Sequence, residues 1–244
     1  DQEFAEKLPD GRTYYHLKSA MDVVEMCRRE NAFIQMPHPD TKANDGLPYD
    51  CKNAPWFTDE RWMGFGARML PADNSVDHMF AGRIERVWND INNWAEKPRY
   101  VMSELDTYTK VEESEEDWEL YPMTNCTYVQ LDHIPSSEKY DELVDALRAG
   151  KHFYSTGEVL LESSTIEDGK ATATFSWTFP MAYAECVYSD GENVHSVRVP
   201  MNETKPYGRE TVEFSFPRGM KWARVFATDI AWNSAFGMPA FVEK

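Results

Sequence analysis

The residues best suited to chemistry are a histidine and a group of carboxylates, and each follows a predicted strand. His38 comes directly after Pro37, which ends the short apolar run at residues 32–36. In α/β folds, ligand residues tend to lie just past the carboxyl ends of strands. This position makes His38 a candidate ligand.

The carboxylates follow a second predicted strand, at residues 100–105. Residues 104–119 contain eight acidic residues and one lysine. Two interpretations are open: a loop that collects a metal ion, or a solvated acidic surface loop. Glu104 and Asp106 are two positions apart, so they face the same way only if the strand continues through them.

Composition and motifs exclude several function classes. The chain of 244 residues carries a net charge of −17, with 17 basic and 30 acidic residues up to residue 155 and 8 and 12 after it. Such a surface repels phosphate backbones and anionic membranes, so we expect no nucleic-acid partner, and no apolar run is long enough for a membrane span. A cation site fits this balance better than an anion site. Nucleotide-binding glycine loops and the serine-hydrolase elbow are both absent from the sequence.

The four cysteines include no Cys-x-x-Cys pair, which argues against a structural zinc site. We expect free, partly buried thiols, with one disulfide left open as an alternative.

The chain begins at Asp1, which indicates either a removed leader or a piece of a longer protein. We favour a secreted or periplasmic location over a cytoplasmic one. The oligomeric state is left open.

Helices and strands divide the chain into two parts. Amphipathic patterns predict helices at residues 19–30, 83–94 and 137–149, the first capped by Ser19 and the last by Ser136 or Ser137, with Gly150 as its C′ residue. Beyond Gly157 the apolar period changes to two, and turn residues separate short strands. Those strands are predicted at residues 171–177, 184–188, 195–199, 211–216 and 222–228. This pattern is typical of a β-sandwich.

Tryptophans and amides allow a further interpretation. Asn92, Asn93 and Trp94, together with Trp56 and Trp62, have the side chains that suit a sugar-stacking surface. Helix and core packing is the alternative. We expect three further tryptophans to pack in the sandwich or between the two parts: Trp177, Trp222 and Trp232.

Four stretches resemble a known family. They are MPHPDTK at residues 36–42 followed by GLP at 46–48, NDINNW at 89–94, LRAGKHFYSTGE at 147–158, and KWARVFATD at 221–229. Together they resemble the later part of bacterial PHP-domain proteins (polymerase and histidinol phosphatase type). The similarity is to a subgroup that carries a β-sandwich behind its metal-dependent hydrolase domain, and it covers most of the chain.

The resemblance implies a fold and a site. The expected fold class is α/β, a partial or distorted PHP-like barrel at residues 1–155, followed by an all-β sandwich at 156–244. In this family, strand-end histidines and carboxylates bind two or three divalent metals, which activate water and clamp a phosphoryl group. On this resemblance His38 and Asp106 are metal ligands, and Glu104 is a further candidate. The cofactor would be zinc, manganese or iron.

The chain also departs from the family pattern. It contains no His-x-His motif, and Tyr108 stands where the last metal motif has a histidine. A protonated phenol is a poor ligand for these metals. About 155 residues are also few for a complete barrel. The sequence therefore predicts a phosphoesterase-like hydrolase that is incomplete or degenerate in this chain, acting on a small-molecule or carbohydrate-linked substrate. The alternative is a non-catalytic carbohydrate- or protein-binding module.

Overall fold

The computed structural model describes residues 3–37, 49–67, 84–103, 126–136 and 140–242. Strands predominate, with 44% of the structure in strands and 19% in helices. Within these ranges, no helix has both the length and the apolar character needed to cross a membrane.

The first half of the chain carries a small parallel sheet. A two-stranded antiparallel ribbon of β1 (Ala5–Lys7) and β2 (Thr13–Tyr15) precedes it. The parallel strands are β3 (Ile34–Met36), β4 (Trp62–Ala67) and β5 (Tyr100–Ser103), and they lie side by side in that order. The helices of this half are α1 (Ala20–Arg29), α2 (Pro55–Thr58) and α3 (Ile84–Trp94), with a short 3₁₀ turn at Tyr49–Cys51.

All three predicted helices are present, and the predicted caps are correct except at the start of the last helix. Ser19 caps α1 through a capping box with Asp22, which binds the backbone N–H of Ser19 in return. Helix α3 is described from Ile84 and ends at Trp94, the residue at which the sequence predicts its end. The last helix, α4 (Asp141–Arg148), ends before Gly150, whose φ of 69° lies in the left-handed region. Its N-cap is Tyr140, so the prediction of Ser136 or Ser137 is wrong.

Two antiparallel sheets pack face to face in the second half. Their strands are β6 (Cys126–Val129), β7 (His152–Ser155), β8 (Val159–Glu167), β9 (Lys170–Trp177), β10 (Met181–Ser189), β11 (Val194–Pro200), β12 (Gly208–Ser215), β13 (Trp222–Asp229), β14 (Ser234–Gly237) and β15 (Ala240–Phe241). The larger sheet has the order β11-β10-β13-β14-β7-β6, with β15 paired to β13, and the smaller has the order β12-β9-β8. All five strands predicted beyond residue 157 are present. The division at residue 155 stays a prediction.

The larger sheet is the middle layer of the molecule. Every residue of β13 is buried. Because side chains alternate along a strand, Trp222 and Phe226 join one apolar cluster, while Val225 joins another. The first cluster includes residues of α3, β4 and β5, and the second includes residues of the smaller sheet. The larger sheet therefore covers the parallel strands on one face and the smaller sheet on the other.

The predicted PHP-like barrel is wrong. Within the described residues, the parallel strands form an open sheet of three, and no alternating α/β barrel is present. A barrel would need further parallel strands to close around the apolar side chains of Phe65 and Val101. These side chains pack instead in one core with Tyr154 and Phe236 of the larger antiparallel sheet.

Candidate functional site

The carboxyl ends of the three parallel strands share one edge of their sheet. Met36 of β3 pairs with Phe65 of β4, and Ala67 of β4 pairs with Ser103 of β5. Because the strands run parallel and are immediate neighbours, the chain leaves all three at the same edge. In open α/β sheets this edge is where ligands bind.

The sequence-predicted ligands all follow these strand ends. His38 comes two residues after the end of β3, Glu104 directly follows β5, and Asp106 comes two residues later. All three lie outside the described residues. The two strands that lead to them flank β4, so the strand axes are about 10 Å apart.

Asn92 fixes the start of β5 from within α3. Its Nδ2 donates to the carbonyl oxygens of Trp88 (2.9 Å) and Arg99 (3.1 Å), and its Oδ1 accepts from the Arg99 N–H (2.9 Å). The indole of Trp88 also donates to the Arg99 carbonyl, at 2.8 Å. Asn92 and Trp88 are both buried. These contacts hold α3 against the strand that leads to Glu104 and Asp106.

Asn93 joins the same helix to the larger sheet. Its Oδ1 accepts hydrogen bonds from Ser189 Oγ (2.7 Å) and Trp222 Nε1 (2.8 Å). Its backbone carbonyl accepts from Lys221 Nζ at 2.6 Å. The indole of Trp62, another residue of the predicted sugar-stacking surface, is fully buried. The amides and this indole are thus committed to packing, which favours the packing interpretation of this stretch over a sugar-stacking surface.

His152 is a buried structural histidine. It lies on β7, where its Nε2 is 3.2 Å from the carbonyl oxygen of Val101, and its ring meets Tyr100 edge-on at 5.6 Å between centroids. Burial lowers the pKa of His152 to about 4. The imidazole is therefore neutral at physiological pH, with Nε2–H donating to Val101.

The other described histidines do not form a metal centre. His133 is exposed and lies 3.2 Å from Glu142, and His16 lies 3.4 Å from Glu6. Across the part of the chain that the structure describes, no three His, Cys, Asp or Glu side chains are grouped so that they could hold a metal ion. The four cysteines are free, as the sequence predicts.

A cluster of apolar side chains is exposed at one end of the sandwich. Its members, which we call the aromatic end, are Phe179, Tyr207, Ile230 and Trp232, with 43%, 84%, 61% and 50% of their surfaces exposed. They lie on three loops joined by backbone hydrogen bonds. The N–H of Tyr207 donates to Thr178 (3.0 Å), and that of Ile230 donates to Pro180 (2.9 Å). Exposed apolar side chains on neighbouring loops often mark a binding surface.

The loop that carries Trp232 is held by a buried carboxylate. Asp229 Oδ1 accepts from the N–H groups of Ala231 (2.8 Å) and Asn233 (2.9 Å), and its Oδ2 accepts from Asn233 Nδ2 (2.8 Å). Trp232 itself has a φ of 68°, in the left-handed region. The prediction that Trp232 packs in the core is wrong, because Trp232 lies on the loop between β13 and β14 with half of its surface exposed. Trp177 and Trp222 are buried as predicted.

The comparisons with known proteins give no family. A scan against protein-family models finds no match, and a search of curated proteins finds no similar sequence. The sheet edge and the aromatic end are therefore the geometric grounds for a functional proposal.

Proposed function

We propose that the chain is part of a metal-dependent hydrolase of the phosphoesterase kind, with a metal site at the carboxyl edge of β3, β4 and β5. One observation carries this proposal. The parallel, adjacent arrangement of the three strands brings the starts of the segments bearing His38, Glu104 and Asp106 to one edge of one sheet. The four stretches similar to PHP-domain proteins support the same site without a barrel.

The donor set suits the proposed ion. One imidazole nitrogen and two carboxylates are ligands that zinc, manganese and iron accept. When bound, such an ion lowers the pKa of a coordinated water and polarises a phosphoryl oxygen. His38 would bind the ion from the β3 side, and Glu104 and Asp106 from the β5 side. Three donors are fewer than a two-metal centre needs, so we propose a partial ligand set.

The metal content of the protein tests this proposal. Inductively coupled plasma mass spectrometry on protein purified without chelator should find near-stoichiometric zinc, manganese or iron. His38→Ala and Asp106→Asn should each lose most of it. His133→Ala is the matched control, because His133 is exposed and its ion-pair partner among the described residues is Glu142, so the metal content of this variant should equal that of the wild type. Background metal in the wild type would overturn the proposal.

Hydrolytic activity is the second readout. If metal is retained, we expect slow, metal-dependent hydrolysis of p-nitrophenyl phosphate that is lost in His38→Ala and kept in His133→Ala. Hydrolysis that survives complete removal of metal would contradict the proposed site.

The aromatic end favours a second candidate, a carbohydrate-binding module. Trp232 and Tyr207 present half or more of their surfaces to solvent, and aromatic rings of this kind stack on the apolar faces of sugar rings. Asp229 holds the Trp232 loop in place before any ligand arrives, which lowers the ordering cost of binding.

Titration with cello- and xylo-oligosaccharides separates the two candidates. Under the second candidate, Trp232→Ala abolishes sugar binding and His38→Ala has no effect. Tyr14→Ala is a matched control, because Tyr14 is also half exposed but lies on β2, away from the sandwich loops. Under the first candidate, His38→Ala lowers the metal content of the protein, whereas Trp232→Ala and Tyr14→Ala leave it unchanged.

A further inference from the structure

A pocket of about 560 Å³ lies beside the amino-terminal ends of β4 and β5. Trp62, the first residue of β4, and Arg99, which directly precedes β5, both line it. Phe57 and Trp94 supply further aromatic wall. The volume, and a lining that combines three aromatic side chains with a few polar and charged groups, are those of small-molecule sites.

Arg99 is a buried cation that forms no ion pair within the described residues, although the nearby Asp59 carboxylate acts on it electrostatically. Only 5% of its surface is exposed. Its Nη2 donates to the carbonyl oxygens of Thr58 (3.5 Å) and Asp59 (3.3 Å), which are neutral partners. Its Nε has no hydrogen-bond partner among the described residues. Burial lowers the pKa of Arg99 from its ordinary value. A buried guanidinium is costly unless an anion pairs with it.

Trp62 presents a second unpaired donor in the same wall. Its side chain is fully buried, and no hydrogen-bond acceptor for its Nε1–H is found among the residues that the structure describes. Its ring stacks on Phe57 with centroids 4.0 Å apart, and the Arg99 guanidinium lies 5.2 Å from its centroid. Buried N–H groups nearly always have an acceptor, so two unpaired donors enclosed behind one pocket wall are unusual and suggest that the wall rearranges around a partner.

The surroundings of the pocket are basic although the chain is acidic. Lys52 lines the pocket, and its Nζ lies 5.5 Å from the Trp94 ring centroid. A second pocket, of about 370 Å³, shares Arg99. The charged residues that line the two pockets are five basic and two acidic: Lys52, Arg61, Lys97, Arg99 and Arg148 against Glu60 and Glu96. This corner therefore attracts anions within a chain of net charge −17.

We propose that this pocket binds a small organic oxyanion, a carboxylate or a phosphate ester carried on a flat ring. The oxyanion gives Arg99 an ion-pair partner, and small rotations of the two side chains turn the enclosed Arg99 Nε–H and Trp62 Nε1–H groups towards its oxygens. The flat ring packs against the indole of Trp94. Lys52 strengthens the attraction from the rim.

This site is separate from the proposed metal site. Trp62 and Arg99 stand where β4 and β5 begin, whereas His38, Glu104 and Asp106 follow the strand ends. The two sites therefore lie at opposite edges of the parallel sheet. Anion binding does not depend on a bound metal, and His38→Ala should leave it unchanged.

Calorimetric titration of the full chain at constant ionic strength tests the proposal. The probes are sodium benzoate, phenyl phosphate and the neutral analogue benzyl alcohol. We expect saturable binding of at least one anion and none of benzyl alcohol. The tighter anion identifies the charged group that the pocket prefers. Binding of neither anion, or equal binding of benzyl alcohol, would overturn the proposal.

Charge variants at the rim sharpen the test without disturbing the core. Lys52 is exposed, so Lys52→Gln should fold normally and weaken anion binding about fivefold, because one attractive charge is lost. Glu96→Gln should strengthen it by a similar factor. Lys205→Gln, on the sandwich, is the matched control and should change nothing. If Lys52→Gln and Glu96→Gln shift the affinity in the same direction, the proposed electrostatics are wrong.

Discussion

The guanidinium of Arg224 on β13 contacts the carboxylate of Glu85 on α3, and so connects the larger sheet to the helix packed against it. Only 1% of the Arg224 side chain is exposed, against 18% for Glu85. Arg224 also donates to Asn89 Oδ1 at 3.2 Å and lies 4.6 Å from the Trp88 ring centroid. Because the partners differ in burial, the cost of separating them depends on which one is removed.

The Arg224–Glu85 pair should respond asymmetrically to substitution. Glu85→Ala leaves a buried guanidinium without its carboxylate and should lower the free energy of unfolding by about 3 kcal/mol. Arg224→Met fills the same space with an apolar side chain and lets Glu85 turn to solvent, so we expect a loss below about 1.5 kcal/mol. Urea unfolding followed by tryptophan fluorescence measures both.

A matched control is the exposed pair of Glu25 and Arg29 on α1, which are 3.0 Å apart. Glu25→Ala should cost less than about 0.5 kcal/mol, because water replaces the lost contact. If Glu85→Ala costs no more than Glu25→Ala, the Arg224 contact does not stabilise the fold.

The buried His152 should make the fold sensitive to mild acid. Its pKa is lowered from 6.5 to about 4 in the folded protein, so the unfolded state binds the proton more tightly. The contribution of neutral His152 to the free energy of unfolding is fully present above about pH 6.5. It is lost progressively as the pH falls towards 4, by up to roughly 3 kcal/mol. Urea unfolding at a series of pH values should show this slope.

Two variants assign that slope to His152. His152→Gln removes the titrating group but keeps an N–H donor for Val101, and it should flatten the profile between pH 6.5 and 4. His133→Gln replaces an exposed histidine and should leave the profile as in the wild type. An unchanged slope in His152→Gln would assign the acid sensitivity to other groups.

Gly64 in the central parallel strand should not tolerate any side chain. Its φ is 151°, and a Cβ at this position would lie 1.8 Å from the carbonyl oxygen of Tyr100 on β5. Gly64→Ala should therefore cost more than about 3 kcal/mol or prevent folding. Gly11→Ala is the control, because Gly11 also has a positive φ (88°) but open space around it. That variant should cost only about 1–2 kcal/mol, as thermal unfolding would show.

The four cysteines should differ widely in reactivity. Cys126 is exposed, whereas Cys27 and Cys186 are buried. Burial raises the pKa of Cys186 to about 12, which suppresses the reactive thiolate. Iodoacetamide at pH 8 should label Cys126 first, Cys51 more slowly, and the other two only after unfolding. Peptide mass spectrometry gives the order, and early labelling of Cys186 would contradict the burial of β10.

Local structure could be predicted from the sequence, because its signals are local. The Ser19 cap, the apolar stripe of α3 and the alternation along β9 are each set by residues that are close together in the sequence. Strand β8 was not predicted, because Glu162, Ser163 and Ser164 interrupt its apolar pattern where it reaches solvent.

The tertiary arrangement required contacts that no local pattern specifies. The barrel prediction came from family resemblance, and it was wrong because the larger antiparallel sheet covers the parallel strands. The Arg99 pocket combines residues as far apart in the chain as Lys52 and Arg99, and a basic corner is not expected from a net charge of −17. His38, Glu104 and Asp106 lie outside the described residues and stay predictions.

Because the larger sheet is covered on both of its faces, the second half of the chain should not fold well when it is expressed alone. A fragment beginning near residue 156 would lose β6 and β7 from that sheet and would expose Trp222, Phe226 and Phe236 to water. Such a fragment should be poorly soluble or should self-associate through the uncovered face. We therefore expect that the sandwich cannot be transplanted alone as a cassette, because one face of its larger sheet needs the first half of the chain as a cover.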